Sequence, residues 1–418
     1  MNPLRWYDFI TTNIYWFALN VTNNGLGPVM LPVIVQALVP ASQKNSYLGL
    51  VTFLGLIVAV LVNPIMGAVS DRSTLPWGRR KPFVVAGTLL DLVFLGLLLV
   101  AGNIWVLLGV VLLLQFSSNT AQGPLQALIP DVVPAEQRGT ASGVKALFEI
   151  TGAVVGSVAA GFLVGRGLLP AAMGFTMVVL LLSALVMAFT VRESRGSGGG
   201  ISIRNTVINT FNVNLRGNRD YGWWLLNRLL FFVGLTTIQT FLLFFLQDVL
   251  QVSNPAAVAG NAIAVLGVAT VVVALPIGYL ADRVGRKPLM IAAGLTATVG
   301  GMLFPFAQNE VQLFLFGSLI GLSAGVFISA GWALATDLVP LQEAGRYLGI
   351  SNLATAGGGA LARLGGPIID LLNSQQHNLG YTVVFFGTGV CFLLATLALL
   401  RVHEPRRSRL ASPPAPGG

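Results

Sequence analysis

Gly67-Ala68-Val69-Ser70-Asp71-Arg72, followed by Gly78-Arg79-Arg80-Lys81-Pro82, returns later in the chain as Gly278-Tyr279-Leu280-Ala281-Asp282-Arg283, followed by Gly285-Arg286-Lys287-Pro288. The two aspartates stand 211 residues apart and the two Lys-Pro pairs 206, so the first copy carries five extra residues between its parts. A second pair holds the register: Ala127-Leu128-Ile129-Pro130-Asp131-Val132-Val133-Pro134 matches Ala333-Leu334-Ala335-Thr336-Asp337-Leu338-Val339-Pro340, again at 206. Two matched segments at one offset make the chain a parallel repeat of two homologous halves.

Around these polar motifs the chain is apolar. Of 418 residues, 55% are hydrophobic and 9% charged, with a mean hydropathy of +0.79. A soluble domain carries roughly 25% charged residues, so this composition belongs in a bilayer. Apolar runs near the ~20 residues a membrane helix needs fall at roughly 10–38, 47–69, 82–101, 104–130, 140–164, 170–191, 223–247, 257–281, 287–307, 311–337, 346–371 and 380–401. An open sheet cannot satisfy its backbone in lipid and a barrel strand would alternate, so the expected class is an all-α membrane protein. The expected domains are a six-helix bundle over 1–191, a Gly- and Arg-rich linker over 192–220, a second bundle over 221–401 and a tail over 402–418.

Lys and Arg set the orientation. With the N-terminus inside, the even-numbered loops, linker and tails collect 19 of the 24 basic residues, and the outer loops hold only Lys44 and Arg166. Both termini are therefore expected in the cytoplasm, with the first span an uncleaved anchor in the cell (inner or plasma) membrane. The net charge of +9 faces anionic lipid and is no nucleic-acid footprint. Cys391 sits alone in an apolar run, and His377 and His403 fall in polar connections, which leaves no disulfide framework, no metal ligand set and no His-based catalysis. No cofactor is expected, and neither an enzyme nor a receptor finds support. Without a P-loop there is no direct ATP drive.

Six plus six spans, the G-x-x-x-D-R…G-R-[RK]-[KR]-P loops and the central linker resemble the major facilitator superfamily over essentially the whole chain. Ser70-Asp71-Arg72 with Trp77-Gly78-Arg79-Arg80-Lys81-Pro82, and Asn119-Thr120-Ala121-Gln122-Gly123-Pro124-Leu125-Gln126 in span 4, are similar to the sucrose and related sugar:proton symporters and their bacterial relatives. The resemblance implies a monomer that alternates access between its halves, with small-molecule substrate and protons as its partners in the bilayer. It also implies that Asp71 caps a helix of the opposite half. With Arg72, Arg79, Arg80, Asp131, Arg138, Asp282, Arg283, Asp337 and Arg346, it would hold the cytoplasmic side shut. Span 5 lacks the proline of proton-antiport exporters, span 4 lacks the arginine-led motif of hexose facilitators, and spans 2 and 4 lack the aspartates of sodium-melibiose carriers.

A charge at mid-membrane costs at least ~2.5–3.5 kcal/mol on insertion scales, so each one there needs a reason. Asp91, nine residues past Pro82, and Glu149, four residues after Lys145, are the proton-coupling candidates. Arg363 needs a carboxylate or a substrate oxygen; Asp370, Asp91 and Glu149 are its candidate partners. Arg228 is shallower and is expected to snorkel. Asn20, Asn23 and Asn24 on span 1, and Asn119, Gln122 and Gln126 on span 4, form amide strips at helical spacing. Gln239 and Asn352 add single amides from the other half, and Trp16 and Trp332 offer faces for a sugar ring. The expected function is proton-coupled symport of a sugar or similar hydroxylated solute. The alternative is an exporter or carrier of amphiphilic compounds, favoured if Phe231, Phe232, Phe241, Phe244 and Phe245 line an apolar cavity.

Overall fold

The computed structural model describes residues 4–191, 193, 218–339 and 344–404. Span 1 is interrupted: it runs as Trp6–Gly25, a π-helical turn Leu26–Met30, and Leu31–Leu38. Pro28 has no N–H for the carbonyl one turn back, so the regular ladder fails there and the wider turn takes up the slack. Span 2 is Lys44–Asp71, span 3 Lys81–Leu98, and span 4 Ile104–Gln126 with a short continuation Leu128–Val132. Spans 5 and 6 are Arg138–Gly165 and Leu169–Thr190.

The second half repeats this order. Spans 7 to 10 are Arg219–Asp248, Pro255–Val284, Arg286–Leu303 and Glu310–Leu338. Span 11 is broken into Ala344–Arg363 and Gly365–Gln375, and span 12 is Leu379–Leu400. Among the described residues ten helical stretches are long and apolar enough to cross a membrane alone; the remaining two crossings are the interrupted spans 1 and 11. The N-terminal asparagine caps show the repeat at atomic level. Asn103 accepts from the Trp105 and Val106 amides and Asn309, 206 residues on, from the Gln312 amide.

The repeated loop ties each half together. At the start of span 3, Glu193 Oε2 accepts the Arg80 amide at 2.8 Å, and Lys81 Nζ donates to the Ala188 and Val191 carbonyls at 3.2 and 2.8 Å. At the start of span 9, Glu404 Oε1 accepts the Arg286 amide at 2.7 Å, and Lys287 Nζ donates to the Leu400 and Val402 carbonyls at 2.9 and 2.6 Å. Each glutamate satisfies first-turn amides that have no intrahelical acceptor, at the positive end of the helix dipole. Burial pushes the Glu193 carboxyl above the ordinary carboxylate range. Asp131 takes both Arg79 and Arg80, and its hydrogen bond raises the Arg79 guanidinium above its usual value. Asp337 takes Arg286 in the same way.

In the state described, the charges of the expected gate pair within their own halves. Asp71 pairs with Arg80 of its own half instead of capping a helix of the other. Arg138 donates to the Pro130 and Val133 carbonyls beside it, and Arg283 to the Tyr279 hydroxyl one turn back. Arg72 closes span 2, its amide bonded to the Val69 carbonyl. The side chains of Asp282 and Arg346 lie outside the described residues. The reason is local geometry: the arginines lie within reach of the acidic end of span 4 or 10 in their own bundle, and a charge pairs with the nearest partner.

The halves meet at the opposite face. Leu4 bonds to Gln137 and Glu404 to Arg286, which puts both described chain ends with the 4–5 and 8–9 loops on one face, the termini face. On the distal face, Lys44 Nζ reaches Asp248 Oδ1 at 2.7 Å and Tyr381 donates to Asp248 Oδ2 at 2.7 Å. Asp370 accepts from Asn45 Nδ2 at 2.9 Å and from the Ser46 amide at 2.7 Å. The backbones approach without side chains between them: a methyl on Gly260 would lie 2.3 Å from the Ser157 carbonyl oxygen, and one on Gly366 2.2 Å from that of Asn45. Small residues permit such contact where hydrophobicity gives no drive for helices to associate. Gly260→Ala is expected to lower the thermal unfolding midpoint of the purified protein by a few degrees. Gly267→Ala, whose methyl would meet only Val154 at 3.9 Å, should leave it unchanged; equal midpoints would contradict this account of the distal contact.

Candidate functional site

Among the glycine contacts between the halves, those farthest from the distal face are Leu56 with Gly359 and Val154 with Gly267. Beyond them, Arg72 apart, the hydrogen bonds and ion pairs of the described residues at the termini face join residues of one half. Among the described residues the halves thus part below the distal contact and leave a cleft towards the termini face.

The two carboxyls separate in environment. Asp91 is 2% exposed and takes a hydrogen bond from the Ser117 hydroxyl of span 4. One turn back, Thr88 bonds to Tyr15 of span 1 at 2.6 Å. Among the described residues Asp91 forms no ion pair, so it partners neither Arg363 nor any other cation. Glu149 is half-buried on span 5, 3.4 Å from Lys145 Nζ. That ammonium lies 3.9 Å from the centroid of the Trp16 ring, so span 1 and span 5 share one cation across an aromatic face.

The two deep arginines both belong to the second half. Arg363 ends the first part of span 11. Pro367, four residues on, has no N–H to give the Arg363 carbonyl, and Gly49 of span 2 packs against that carbonyl. Side chains on a helix lean towards its N-terminus, so this guanidinium is directed down from the distal contact. Its Nη1 bonds to the Gly359 carbonyl at 2.7 Å, while its buried Nε has no partner. Asp370, a candidate partner, is taken by Asn45 and Ser46 instead. Arg228 does not snorkel away. Its Nε donates to Thr355 Oγ1 at 2.8 Å and to the Ser351 carbonyl at 3.2 Å, with the rings of Trp224, Phe232 and Trp332 5.2–5.5 Å from its guanidinium carbon.

The amides divide. Asn20 and Asn24 return their amides to the Trp16 and Asn20 carbonyls at 3.0 and 3.1 Å, and Asn23 is exposed. Asn119 accepts from Asn63 of span 2 at 3.1 Å and donates to the Gln115 carbonyl at 2.8 Å; Gln126 reaches Asn63 at 3.4 Å, and Gln122 is half-buried beside them. Asn352 is exposed and Trp332 is 38% exposed. Gln239 departs from the expected lining: it faces a small apolar cavity inside the second half with Ile238, Leu242, Ala262, Ile263 and Phe314. The phenylalanines also turn inward. Phe231 stacks on Phe327 at 3.9 Å, Phe245 packs against Phe304 and Phe385, and Phe241 and Phe244 are fully buried, leaving Phe232 as the ring beside Arg228. Asn63, the Glu193 and Glu404 caps and the distal Lys44, Asn45, Asp248, Tyr381 cluster were not singled out from the sequence. The caps had a signal: Val191-Arg192-Glu193 and Val402-His403-Glu404 stand 211 apart.

Among solved structures with this arrangement, the nucleoside transporter NupG superposes with a TM-score of 0.73 at 15% identity, covering 94% of this chain and 97% of that one. A D-xylose-proton symporter gives 0.74 at 16%, covering 95% and 97%. A bacterial homologue of the human lysosomal transporter Spinster, in an inward-facing and occupied conformation, gives 0.70 at 14%, covering 96% and 97%. Among similar sequences, the multi-drug resistance efflux pump PmrA of Streptococcus pneumoniae is 24% identical over 97% of this chain and all of its own. The multidrug resistance protein MdtG of Klebsiella pneumoniae is 26% identical over 96% of this chain and 95% of its own. The profile of the family described as MFS/sugar transport protein matches residues 40–364. With twelve crossings in two repeated bundles around one cleft, this chain is a multi-pass membrane transporter and belongs to the MFS/sugar transport protein family.

Proposed function

We propose that the protein is a proton-coupled symporter that carries a hydroxylated, sugar-like organic solute through the cleft by alternating access, with its termini face in the cytoplasm of the cell membrane. The observation that carries the reading is the Lys145–Glu149–Trp16 group on the cleft wall. There a carboxyl, a cation and an aromatic face stand together beside the amides of Asn20 and Asn24. A proton on Glu149 would release Lys145 and change the charge that the solute meets, which links the two binding events. Asp91 is the second proton candidate, since a buried carboxyl without a cation changes the balance of its bundle when it ionises. Trp16, Asn20, Asn23, Asn24, Asn119, Gln122, Gln126, Asn352, Trp332 and Arg363 make up the proposed solute site. Asp71, Arg72, Arg79, Arg80, Asp131, Arg138, Asp282, Arg283, Asp337 and Arg346 are proposed to brace each half as the cytoplasmic side opens and closes.

Export of drug-like compounds is the second reading, favoured by the likeness of the whole chain to two efflux pumps. The phenylalanines of span 7 lend it little, because they pack inside the bundle. Direction of coupling separates the two. In proteoliposomes with the lumen alkaline, symport predicts solute accumulation above that without a gradient; equal uptake removes symport, and gradient-driven depletion makes the protein an exporter. Glu149→Gln is expected to lose gradient-driven accumulation at least tenfold while keeping solute counterflow. If Glu149→Gln accumulates normally and Asp91→Asn does not, the coupling proton belongs to Asp91. Full accumulation by both variants would end the proton assignment.

A further inference from the structure

Cations outnumber carboxylates in the cleft. Lys145 is matched by Glu149, but among the described residues neither Arg228 nor Arg363 forms an ion pair. Other carboxylates within the spans are committed: Asp91 to Ser117, Asp248 to Lys44 and Tyr381, and Asp370 to Asn45 and Ser46. A guanidinium has five N–H donors. Arg363 uses one on the Gly359 carbonyl and holds a buried Nε without an acceptor. Among the described residues Arg228 is bonded through Nε alone, to Thr355 and Ser351.

The two guanidinia share one face of span 11. Arg228 is anchored on Thr355 and Arg363 on Gly359, four residues later, which is one helical turn and about 6 Å of rise. Below them, Trp224, Phe232 and Trp332 surround Arg228 with ring faces. Two forked cations a turn apart, with unused donors and an aromatic wall, match a group that offers several negative oxygens on a larger organic body.

We propose that the solute carried by this protein is an organic anion whose carboxylate or phosphate is held between Arg228 and Arg363, with its body against Phe232 and Trp332. This deepens the transport reading and rests on it only in placing the solute in the cleft. A bound anion neutralises the two cations, so the loaded site can be closed off from water at a smaller electrostatic cost.

The test is equilibrium binding to the detergent-purified full chain, read by thermal stabilisation, with matched probes: glucuronate and glucose 6-phosphate against glucose, and benzoate against benzyl alcohol. At least one acid is expected to stabilise the protein while its neutral partner does not. Arg363→Gln and Arg228→Gln should each weaken that binding about tenfold or more. Arg363→Lys, which keeps the charge and loses the fork, should fall between. Arg166→Gln, on an exposed distal loop, should bind as the unaltered protein does. Each variant is first checked for a single size-exclusion peak and a cooperative unfolding transition, and Arg363→Lys carries the test if a glutamine variant fails to fold. Neutral probes that bind as well as their acids, acids that bind the arginine variants undiminished, or no binding by any acid would each overturn the proposal. No gradient is present in this assay, so a failure of proton coupling would leave its result untouched.

Discussion

A charge in hydrocarbon must reach an end of its helix, find a partner, or face water, and this rule sorts nearly every ionisable side chain in the protein. The basic residues of the repeated loops reach the termini face and pair there with Asp71, Asp131 and Asp337. Lys44 reaches the distal face and pairs with Asp248 across the halves. What remains are Asp91, the Lys145–Glu149 pair, Arg228 and Arg363. Lipid would expel these groups; Asp91 is held inside its bundle by Ser117, and a wet cleft or a bound solute accommodates the others. The site is defined by what the bilayer forbids as much as by what it contains.

The two faces use charge differently. On the termini face each cluster stays within its bundle, binding the starts of spans 3 and 9 to the ends of spans 6 and 12 through Glu193 and Glu404. Each bundle is thereby stiffened as a body, as rocking of one half on the other requires. On the distal face polar contacts run between the bundles: Lys44 on Asp248, Asn45 on Asp370 and Tyr381, Ser46 on Asp370, and Asn254 on the Gly165 carbonyl. Stiff halves joined by hydrogen bonds over bare backbone contacts form a joint that can open without rebuilding either bundle.

The sequence carried the fold because lipid imposes run length and the repeat imposes register; the offsets of 206 and 211 recur in the Asn103 and Asn309 caps and in the Glu193 and Glu404 pair. The breaks in spans 1 and 11 lie at Pro28 and beside Pro367, where a missing N–H could be read directly. The rotation of each helix was not legible. In a soluble protein the apolar stripe points to the core, but lipid and core are alike to an apolar side chain. Gln239 therefore looked equivalent to Asn119 along the chain, although it turns into an apolar cavity of its own bundle. The distal contact was hidden for another reason. Lys44 and Asp248 are 204 residues apart and Asn45 and Asp370 are 325 apart, and no periodicity links residues at that range.

The central claim is that the two faces open in turn, with the distal contact closed in the state described. Pulsed electron-spin distances would test it most directly, with one label pair at Gly139 and Tyr279 across the termini face and another at Arg166 and Ser253 across the distal face. The account predicts that a transported solute shifts both distributions in opposite senses, the first pair drawing together by several ångströms as the second moves apart. Two distributions that stay fixed, or that move in the same sense, would contradict it.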